Sequence, residues 1–162
     1  MKAYRAAWMS PIGMLHLIAS DQALLSLAFD QNRDTCQFRL GISEMVDLEN
    51  SVIGQAKAEL SEYFAGKRRS FEVPIDLRGT EFQKKAWEAL RGIPFGATIS
   101  YQQQARDLGQ AAAVRATGTA NGRNPIAIIV PCHRVVRSDG TLGGYAGGVD
   151  IKSSLLELES RL

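Results

Sequence analysis

Residues 100–120 of the chain read SYQQQARDLGQAAAVRATGTA. The Ser-x-x-Gln pattern at the start of this stretch is a capping box, which predicts a short helix over residues 101–108. Gly109 then breaks the helix, and the alanine-rich residues 111–120 have a high helix propensity. A helix, a turn that contains glycine and a second helix together form the outline of a helix-turn-helix.

The second predicted helix carries unusually small side chains, with one arginine, Arg115, in its middle. Because such a helix has few bulky groups, its backbone can approach another surface closely. That surface is either another helix of the protein or a groove of DNA, and the pattern leaves both interpretations open. The small residues are Ala111, Ala112, Ala113, Ala116, Gly118 and Ala120.

Helical patterns also lie on both sides of this stretch. The capping box TEFQ at residues 80–83 predicts a helix that ends at residues 91–94. The chain closes with a predicted helix from about residue 151, with Ile151, Leu155 and Leu158 on its inward face.

The segment between these helices contains a motif of a different kind. A turn at residues 121–125 leads into an apolar run, Ile126–Val130, which predicts a buried extended segment. This segment delivers the chain to PCHR at residues 131–134, and five glycines then surround Tyr145 within residues 140–148. A loop with this glycine content is either flexible or tightly turned.

The N-terminal residues have the pattern of strands. Three apolar runs separated by turn residues predict a small antiparallel sheet. A helix fits residues 52–65, with Gly66 as its stop, and residues 71–77 fit one more extended piece. The three runs are Tyr4–Met9, Met14–Ala19 and Leu24–Phe29.

The character of the sequence changes near residue 78. We therefore predict an α+β fold, with a small N-terminal antiparallel sheet domain over residues 1–78 and a mainly helical C-terminal domain with a helix-turn-helix over residues 79–162. The charge divides at the same place. Residues 1–77 hold 8 Lys+Arg and 10 Asp+Glu, a net charge of −2, whereas residues 78–162 hold 11 and 7, a net charge of +4.

The bulk composition excludes several classes of protein. The chain has 162 residues, 45% apolar and 22% charged, as expected of a globular protein, and no stretch resembles a membrane span or a secretory signal. Its two cysteines, Cys36 and Cys132, cannot form a disulfide framework and, with the two histidines, lack the spacing of a zinc site. We expect a cytoplasmic protein without a bound metal, and we interpret Cys36 as a small buried or half-buried residue.

Basic residues cluster in one part of the C-terminal half. Five arginines lie between residues 106 and 137, against one acid, Asp107. A local basic stripe on a nearly neutral chain can attract a polyanion without binding it strongly, although a solvated face has the same pattern. The five are Arg106, Arg115, Arg123, Arg134 and Arg137.

Cys132 is a candidate nucleophile. A cysteine reacts as the thiolate, and an isolated thiol has a pKa of about 8.5, so at neutral pH it needs help from a base, a cation or a helix end. His133 is a titratable neighbour that a water could link to the sulfur, and Glu159 on the last helix is a candidate to orient the imidazole. A bare Cys-His pair is equally compatible with a buried structural cysteine.

The residues around this pair resemble a known family. IIVPCHRVV at residues 128–136, Asn124-Pro125 before it and GYAGG at residues 144–148 resemble the O6-alkylguanine-DNA alkyltransferases, also called methylated-DNA–protein-cysteine methyltransferases. The resemblance is strong over residues 79–162, and it reaches the N-terminal part through SPIGML at residues 10–15. It implies a ribonuclease-H-like first domain.

The resemblance also implies roles for individual residues. Cys132 falls on the alkyl acceptor, and His133 and Glu159 fall on the pair that, through a water, draws the proton from the thiol. Asn124 falls on the asparagine that braces the active-site turn. Tyr101 falls on the tyrosine that lines the guanine pocket and assists protonation of the departing base. Further pocket-lining positions fall on Val135, Tyr145, Ala146 and Gly147.

Contacts with DNA are implied in the same way. Arg115 falls on the arginine finger that fills the gap left when the target nucleotide rotates out. The other expected DNA contacts are Ala113, Gly118 and Arg123, together with Tyr101. A helix of small residues suits the narrow minor groove, and one inserted side chain can hold the gap open.

The implied activity is direct reversal of DNA damage. The protein would flip an O6-alkylguanine out of double-stranded DNA and transfer the alkyl group to Cys132. Because the thioether product does not hydrolyse, each molecule acts once, and the reaction needs neither a metal nor a cofactor. We expect a monomer. Activity on O4-alkylthymine stays open, as does the effect of Ala146, where many relatives carry a serine.

Three other functions fit parts of the pattern. An alkyltransferase-like lesion sensor would share the fold but lack the acceptor cysteine. A helix-turn-helix transcription factor would need polar base-reading side chains on its second helix, where this chain has mainly alanine, glycine and one arginine. A cysteine hydrolase would use Cys132 and His133 with an oxyanion hole, and it would turn over repeatedly.

Overall fold

The computed structural model describes residues 1–34 and 40–161, so the interpretation of Cys36 lies outside the described residues. The chain divides into two compact units. The first contains Met1–Arg78 and Pro125–Ala127, and the second contains Gly79–Asn124 and Ile128–Leu162.

The short segment Pro125–Ala127 belongs to the first unit, although the sequence prediction kept residues 79–162 together. Backbone hydrogen bonds explain the difference. The Leu27 N–H donates to the Pro125 carbonyl (2.9 Å), and the Ala127 N–H donates to the Leu27 carbonyl (3.0 Å). Pairing between such distant residues is not visible in local sequence patterns.

The strands of the first unit are β1 (Lys2–Ser10), β2 (Gly13–Ala19), β3 (Leu24–Phe29) and β4 (Glu44–Val46). They form one sheet in the order β3-β2-β1-β4. The pairs β1/β2 and β2/β3 are antiparallel, as the sequence predicts, but β4 pairs with β1 in parallel. The sheet is therefore mixed rather than wholly antiparallel. The sequence did not predict β4, because three residues are too few to show the alternating pattern of a strand.

One helix, α1 (Ser51–Phe64), packs on this sheet. Asn50 caps its start by accepting a hydrogen bond from the Ile53 N–H (3.0 Å). Residues 71–77, predicted as one more strand or extended piece, form no strand and make one isolated bridge from Ile75. The reason is that the buried Glu59 carboxylate accepts the N–H groups of residues 72 and 73, at 2.8 and 3.1 Å, in place of a ladder partner.

The helices of the second unit are α2 (Glu81–Arg91), α3 (Tyr101–Asp107), α4 (Val114–Gly122) and α5 (Val149–Ser160). A two-residue parallel ladder joins β5 (Ile99–Ser100) to β6 (Val135–Val136). Both predicted helix starts are confirmed, since the Thr80 and Ser100 side chains accept from the N–H groups of Gln83 and Gln103. The predicted α+β class is thus confirmed.

The turn between α3 and α4 is longer than the sequence suggests. Gly109 has a φ of +72°, and the N–H groups of Gly109 and Gln110 donate to the carbonyls of Arg106 and Ala105, which is a Schellman motif. The chain therefore needs several residues to reverse direction, and α4 begins at Val114 rather than at residue 111. Helix propensity is a weak guide where such a cap competes with it.

The run Ile126–Val130 is buried, as predicted, but it is a turn rather than an extended segment. Ile128 has a φ of +70°, a left-handed conformation that a β-branched residue rarely adopts. The Asn124 Nδ2 donates to the Val130 carbonyl (2.7 Å) and so closes this turn. Strain of this kind persists only where the surrounding structure determines it, and such residues cluster at functional sites.

Helix α5 faces inward with a different set of residues from the predicted one. Its buried residues are Lys152, Leu155 and Glu159, whereas Ile151 and Leu158 are only half-buried. The prediction assumed that the apolar residues would define the buried face. Two charged residues occupy it instead, and both belong to the cluster around Cys132.

Candidate active site

Cys132 starts a short 3₁₀ turn, Cys132–Arg134, directly after the Ile126–Val130 turn. Its thiol is 7% exposed, and the Asn124 Nδ2 donates to Sγ at 3.2 Å. Burial raises the pKa of the Cys132 thiol above its ordinary value, while the Asn124 hydrogen bond and the positive charge of Lys152 act in the opposite direction. The side chains of Asn124, Lys152 and Tyr145 thus stabilise the thiolate against the effect of burial.

His133 and Glu159 are in direct contact and fully buried. The distance from His133 Nε2 to Glu159 Oε2 is 2.7 Å. Burial lowers the pKa of His133, and the Glu159 carboxylate opposes that effect. A neutral imidazole that donates its Nε2–H to Glu159 keeps Nδ1 as an acceptor, and this Nδ1 is buried without a hydrogen-bond partner among the described residues.

Arg134 is the cation that pairs with Glu159. Its Nε and Nη2 donate to the two carboxylate oxygens at 2.8 and 3.0 Å, and its Nη1 donates to the Ile93 carbonyl at 2.7 Å. Arg134 is therefore buried and does not belong to the exposed basic stripe that the sequence predicted. Because Arg134 supplies a permanent positive charge to Glu159, His133 need not be protonated to compensate the buried carboxylate.

Lys152 is the functional candidate that the sequence pattern missed. Its ammonium group is buried and donates to the carbonyls of Val135 (2.7 Å), Leu142 (2.5 Å) and Gly144 (3.3 Å). It also lies 3.4 Å from the Tyr101 hydroxyl. Burial lowers the pKa of Lys152 to about 8. The ammonium thus ties the glycine-rich loop to α5 and brings a positive charge close to both Tyr101 and Cys132.

A cavity of about 230 Å³ opens above the Cys132 sulfur. Tyr101 forms one wall, and its hydroxyl donates to the Gly144 carbonyl at 3.5 Å. Burial, and secondarily the charge of Cys132, raises the pKa of Tyr101. A Cβ atom at Gly143 would lie only 3.1 Å from the Tyr101 ring, so glycine is the residue that fits at this position of the loop. The lining residues are Tyr101, Gly118, Asn121, Gly122, Cys132, Gly144, Tyr145 and Ala146.

The predicted pocket residues divide into two groups. Tyr145 and Ala146 line the cavity, and Gly118, predicted as a DNA contact, lines it as well. Val135 and Gly147 are buried and are not among the residues that line it, and the Val135 carbonyl accepts a hydrogen bond from Lys152. The sequence did not single out the lining residues Asn121, Gly122 and Gly144, since nothing local distinguishes them from ordinary turn residues.

The predicted DNA contacts lie on and around α4. Arg115 is exposed in the first turn of α4, Ala113 precedes this helix, and Arg123 is exposed just after it. No ion pair joins these two arginines to any acid in the part of the chain that the structure describes, and the same is true of Arg106 and Arg137. Unpaired exposed guanidinium groups are available to phosphate.

Within residues 1–34 and 40–161, no three His, Cys, Asp or Glu side chains are grouped so that they could hold a metal ion. Over the same residues, no helix is both long and apolar enough to cross a membrane.

Comparison with known proteins adds the family. The profile of the "6-O-methylguanine DNA methyltransferase, ribonuclease-like domain" matches residues 3–77. The profile of the "6-O-methylguanine DNA methyltransferase, DNA binding domain" matches residues 81–161. Together they span both predicted parts of the chain, and the first agrees with the expected ribonuclease-H-like character.

Similar proteins match over almost their whole length. The methylated-DNA–protein-cysteine methyltransferase of Mycolicibacterium paratuberculosis is 46% identical over 94% of this chain and 89% of its own. The protein of that name from Methanosarcina acetivorans is 42% identical over 96% of this chain and 97% of its own. The crystal structure of Mycobacterium tuberculosis OGT in complex with DNA matches with a TM-score of 0.85 and 40% identity, covering 99% of this chain and 94% of that one. The chain therefore belongs to the 6-O-methylguanine DNA methyltransferase family.

Proposed function

We propose that this protein repairs O6-alkylguanine in double-stranded DNA by transferring the alkyl group to Sγ of Cys132, once per molecule. One observation carries the proposal. Cys132 and Tyr101, a nucleophile and an acid, line the same 230 Å³ cavity, while Asn124 donates to the sulfur and the buried His133, next in the chain, is held by Glu159. The family membership and the DNA complex of its relative support the same reaction.

The nucleophile forms by loss of the thiol proton. His133 Nδ1 accepts this proton through a water, while Glu159 holds the imidazole by its Nε2–H. Asn124 donates to the resulting thiolate, and the Lys152 ammonium stabilises it through space. Arg134 keeps Glu159 compensated, so that His133 stays neutral and can act as the base.

Transfer then exchanges one bond for another. The sulfur–carbon bond forms as the bond between the alkyl carbon and O6 breaks, and the guanine takes up the electron pair. Tyr101, whose raised pKa keeps it protonated, donates a proton to the departing base. In the net reaction, the thiol proton replaces the alkyl group on guanine and the alkyl group replaces the proton on sulfur. No cofactor or metal enters this balance.

The base reaches Cys132 by leaving the duplex. Helix α4 approaches the minor groove with Gly118 and the neighbouring small residues, and Arg115 occupies the space of the extruded nucleotide. Ala113 and Arg123 contact the backbone at the two ends of α4. Flipping costs a few kcal/mol, and these contacts offset it.

The two domains divide the work. The C-terminal domain, residues 79–162, carries the DNA-binding and alkyl-acceptor groups, and the N-terminal domain, residues 1–78, serves as a scaffold. The protein acts as a monomer in the cytoplasm. Cell fractionation and analytical ultracentrifugation test these two statements, and a stable dimer or a secreted product would contradict them.

The decisive experiment is an intact mass measurement. The protein is incubated with a duplex oligonucleotide that carries O6-methylguanine, and then with one that carries O4-methylthymine. One methyl group on Cys132, at one equivalent, is expected from the first duplex. Repeated turnover would instead indicate a hydrolase, and no mass change would reject the proposal. Cys132→Ala should lose transfer and keep lesion binding, and a matched loss of both would indicate a structural cysteine.

Arg115→Ala tests how the lesion is presented. We expect the rate on duplex DNA to fall about tenfold, because about 1.4 kcal/mol of the flipping cost would no longer be offset. Reaction with free O6-benzylguanine should stay unchanged, since no duplex has to open. Arg91→Ala, which removes an arginine paired with Glu88, is the control for net charge. Equal loss of rate on both substrates would reject the role of Arg115.

A further inference from the structure

Arg137, like Arg106, is an arginine of the basic stripe to which neither the family resemblance nor the proposed reaction assigns a role. The β5/β6 ladder pairs Ile99 with Val135 and Ser100 with Val136 in parallel. The ladder ends at this second pair, since Tyr101 is the first residue of α3 and Arg137 is the first residue after β6. Because neighbouring strands lie about 4.8 Å apart, Tyr101 and Arg137 leave the ladder from adjacent backbone positions, and Tyr101 lines the cavity.

A tight turn holds Arg137 in this position. The Arg137 N–H donates to the Thr141 carbonyl, and the Gly140 N–H donates to the Arg137 carbonyl, both at 2.9 Å. Asp139, the acid within this turn, accepts from the N–H and the hydroxyl of Thr141 at 2.9 and 2.7 Å. A three-residue hairpin loop closed in this way is rigid, so it presents the arginine from a defined backbone.

The guanidinium group of Arg137 is exposed and makes no ion pair with an acid of the described ranges. Its charge nevertheless reaches the site, because it lowers the pKa of both Tyr101 and Lys152. Lys152 cannot serve an external anion, since its ammonium is buried among three carbonyls. Arg137 is thus an available cation next to the cavity wall.

We propose that Arg137 binds the DNA phosphate adjacent to the extruded nucleotide, at the mouth of the cavity. This inference rests on the proposed function. A base seated against Cys132 leaves its sugar and phosphate outside the cavity, and a guanidinium group matches a phosphate with two parallel hydrogen bonds. Arg115 replaces the nucleotide inside the duplex, whereas Arg137 holds the nucleotide that has left. The Arg137 contact therefore forms only after flipping and favours the flipped state.

The first test compares Arg137→Ala with the wild type on two substrates. We expect the second-order rate on duplex O6-methylguanine to fall about fivefold to tenfold, and the rate on free O6-benzylguanine to change less than about twofold. The salt dependence of the duplex reaction should become shallower by about 0.9 in the log–log slope. Arg137→Lys should restore most of that slope, because it restores the charge.

Arg161→Ala is the matched control, because it also removes one exposed positive charge from the C-terminal domain. It should leave both rates within about twofold of the wild type. An unchanged duplex rate in Arg137→Ala, or an equal loss on both substrates, overturns the inference while wild-type transfer to Cys132 stays intact. Failure of the wild type to transfer from either substrate would instead overturn the proposed function.

The second test locates the phosphate. Single phosphates on either side of the modified nucleotide are replaced by uncharged methylphosphonates. One replacement should slow the wild type about as much as Arg137→Ala does, and it should not slow the variant further. Additive losses at every position would show that Arg137 contacts none of these phosphates, and they would overturn the inference.

Discussion

Lys152 is a buried cation whose charge changes close to neutral pH. Burial lowers its pKa to about 8, while Cys132 acts to raise it and Arg137 to lower it further. Its hydrogen bonds to the carbonyls of Leu142 and Gly144 hold the loop that forms one side of the cavity. Lys152 therefore makes the stability of the second unit depend on pH. It also connects the loop beside the cavity to α5.

The free energy of unfolding should reveal this linkage. The folded pKa of Lys152, about 8, lies below its value of 10.5 in the unfolded chain, so the unfolded state binds more protons between these two pH values. Stability from this group is fully present above pH 10.5 and is lost as the pH falls through about 8. We expect wild type to gain stability relative to Lys152→Met as the pH rises from 8 towards 10, measured by urea unfolding.

Lys85→Met, on the exposed face of α2, is the matched control for this measurement. It removes a lysine of the same size from a solvated position. The linkage would be contradicted if the difference in unfolding free energy between the wild type and Lys152→Met did not change with pH. It would also be contradicted if the difference changed equally with pH for Lys152→Met and Lys85→Met.

At the scale of elements, α3 and α4 are joined by a pair of buried side-chain amides. Gln104 Nε2 donates to Asn121 Oδ1 at 3.0 Å, and Asn121 Nδ2 donates to Gln104 Oε1 at 2.7 Å. Both residues are buried, and Asn121 also lines the cavity. This reciprocal pair determines how α4 sits on α3, and so it places the small-residue helix relative to Tyr101.

A double-mutant cycle should reveal the coupling. Gln104→Met and Asn121→Leu each leave one buried amide unsatisfied, which costs about 1–3 kcal/mol of unfolding free energy. The double variant removes both polar groups, so its loss should be smaller than the sum of the two single losses. Urea denaturation of the four proteins measures this difference. Purely additive losses would mean that the two amides stabilise the fold independently.

At the scale of the whole molecule, four exposed arginines that make no ion pair within the described ranges lie together between residues 106 and 137. Among the described residues of the first unit, Arg5, Arg33, Arg68 and Arg78 each make an ion pair with a nearby acid. In the second unit, Arg106, Arg115, Arg123 and Arg137 make none within the described ranges. The net charge of +2 conceals this difference.

The salt dependence of DNA binding should reflect three of these arginines, Arg106, Arg123 and Arg137, since Arg115 is assigned to the space of the extruded nucleotide. If each of the three contacts one phosphate, the logarithm of the association constant should fall with the logarithm of salt concentration with a slope of about −2.7. Each single change of one of the three to alanine should make the slope shallower by about 0.9. Fluorescence anisotropy with a duplex that carries O6-methylguanine measures it. A full slope retained in the variants, or an equal reduction in Arg91→Ala, would contradict this assignment.

Local signals were sufficient for much of the fold and part of the site. The capping boxes at Thr80 and Ser100 placed two helix starts correctly, since a cap depends on residues three positions apart. The PCHR motif and its flanks pointed to Cys132, and the structure puts His133 and Glu159 in contact beside it. The roles of these residues remain predictions.

Other features depended on contacts between distant residues. The short strand β4 pairs with β1 across more than forty positions, and Glu59 takes the N–H groups that residues 71–77 would have offered to a ladder. The Ile126–Val130 run was predicted as extended because it is apolar, but Asn124 closes it into a turn. In each case a hydrogen-bond partner elsewhere in the chain determined the conformation, and the local sequence pattern did not.

The sequence by itself determined the fold class and most helix starts and predicted Cys132 as the reactive cysteine, because these depend on neighbouring residues and on a motif. Only the tertiary structure decided that Arg134 and Lys152 are buried parts of the site and that Val135 and Gly147 are not cavity walls. The physical reason is that a charged residue is expected to be exposed unless the fold places a carboxylate or several carbonyl groups next to it. Here Glu159 pairs with Arg134, and three backbone carbonyls accept hydrogen bonds from Lys152.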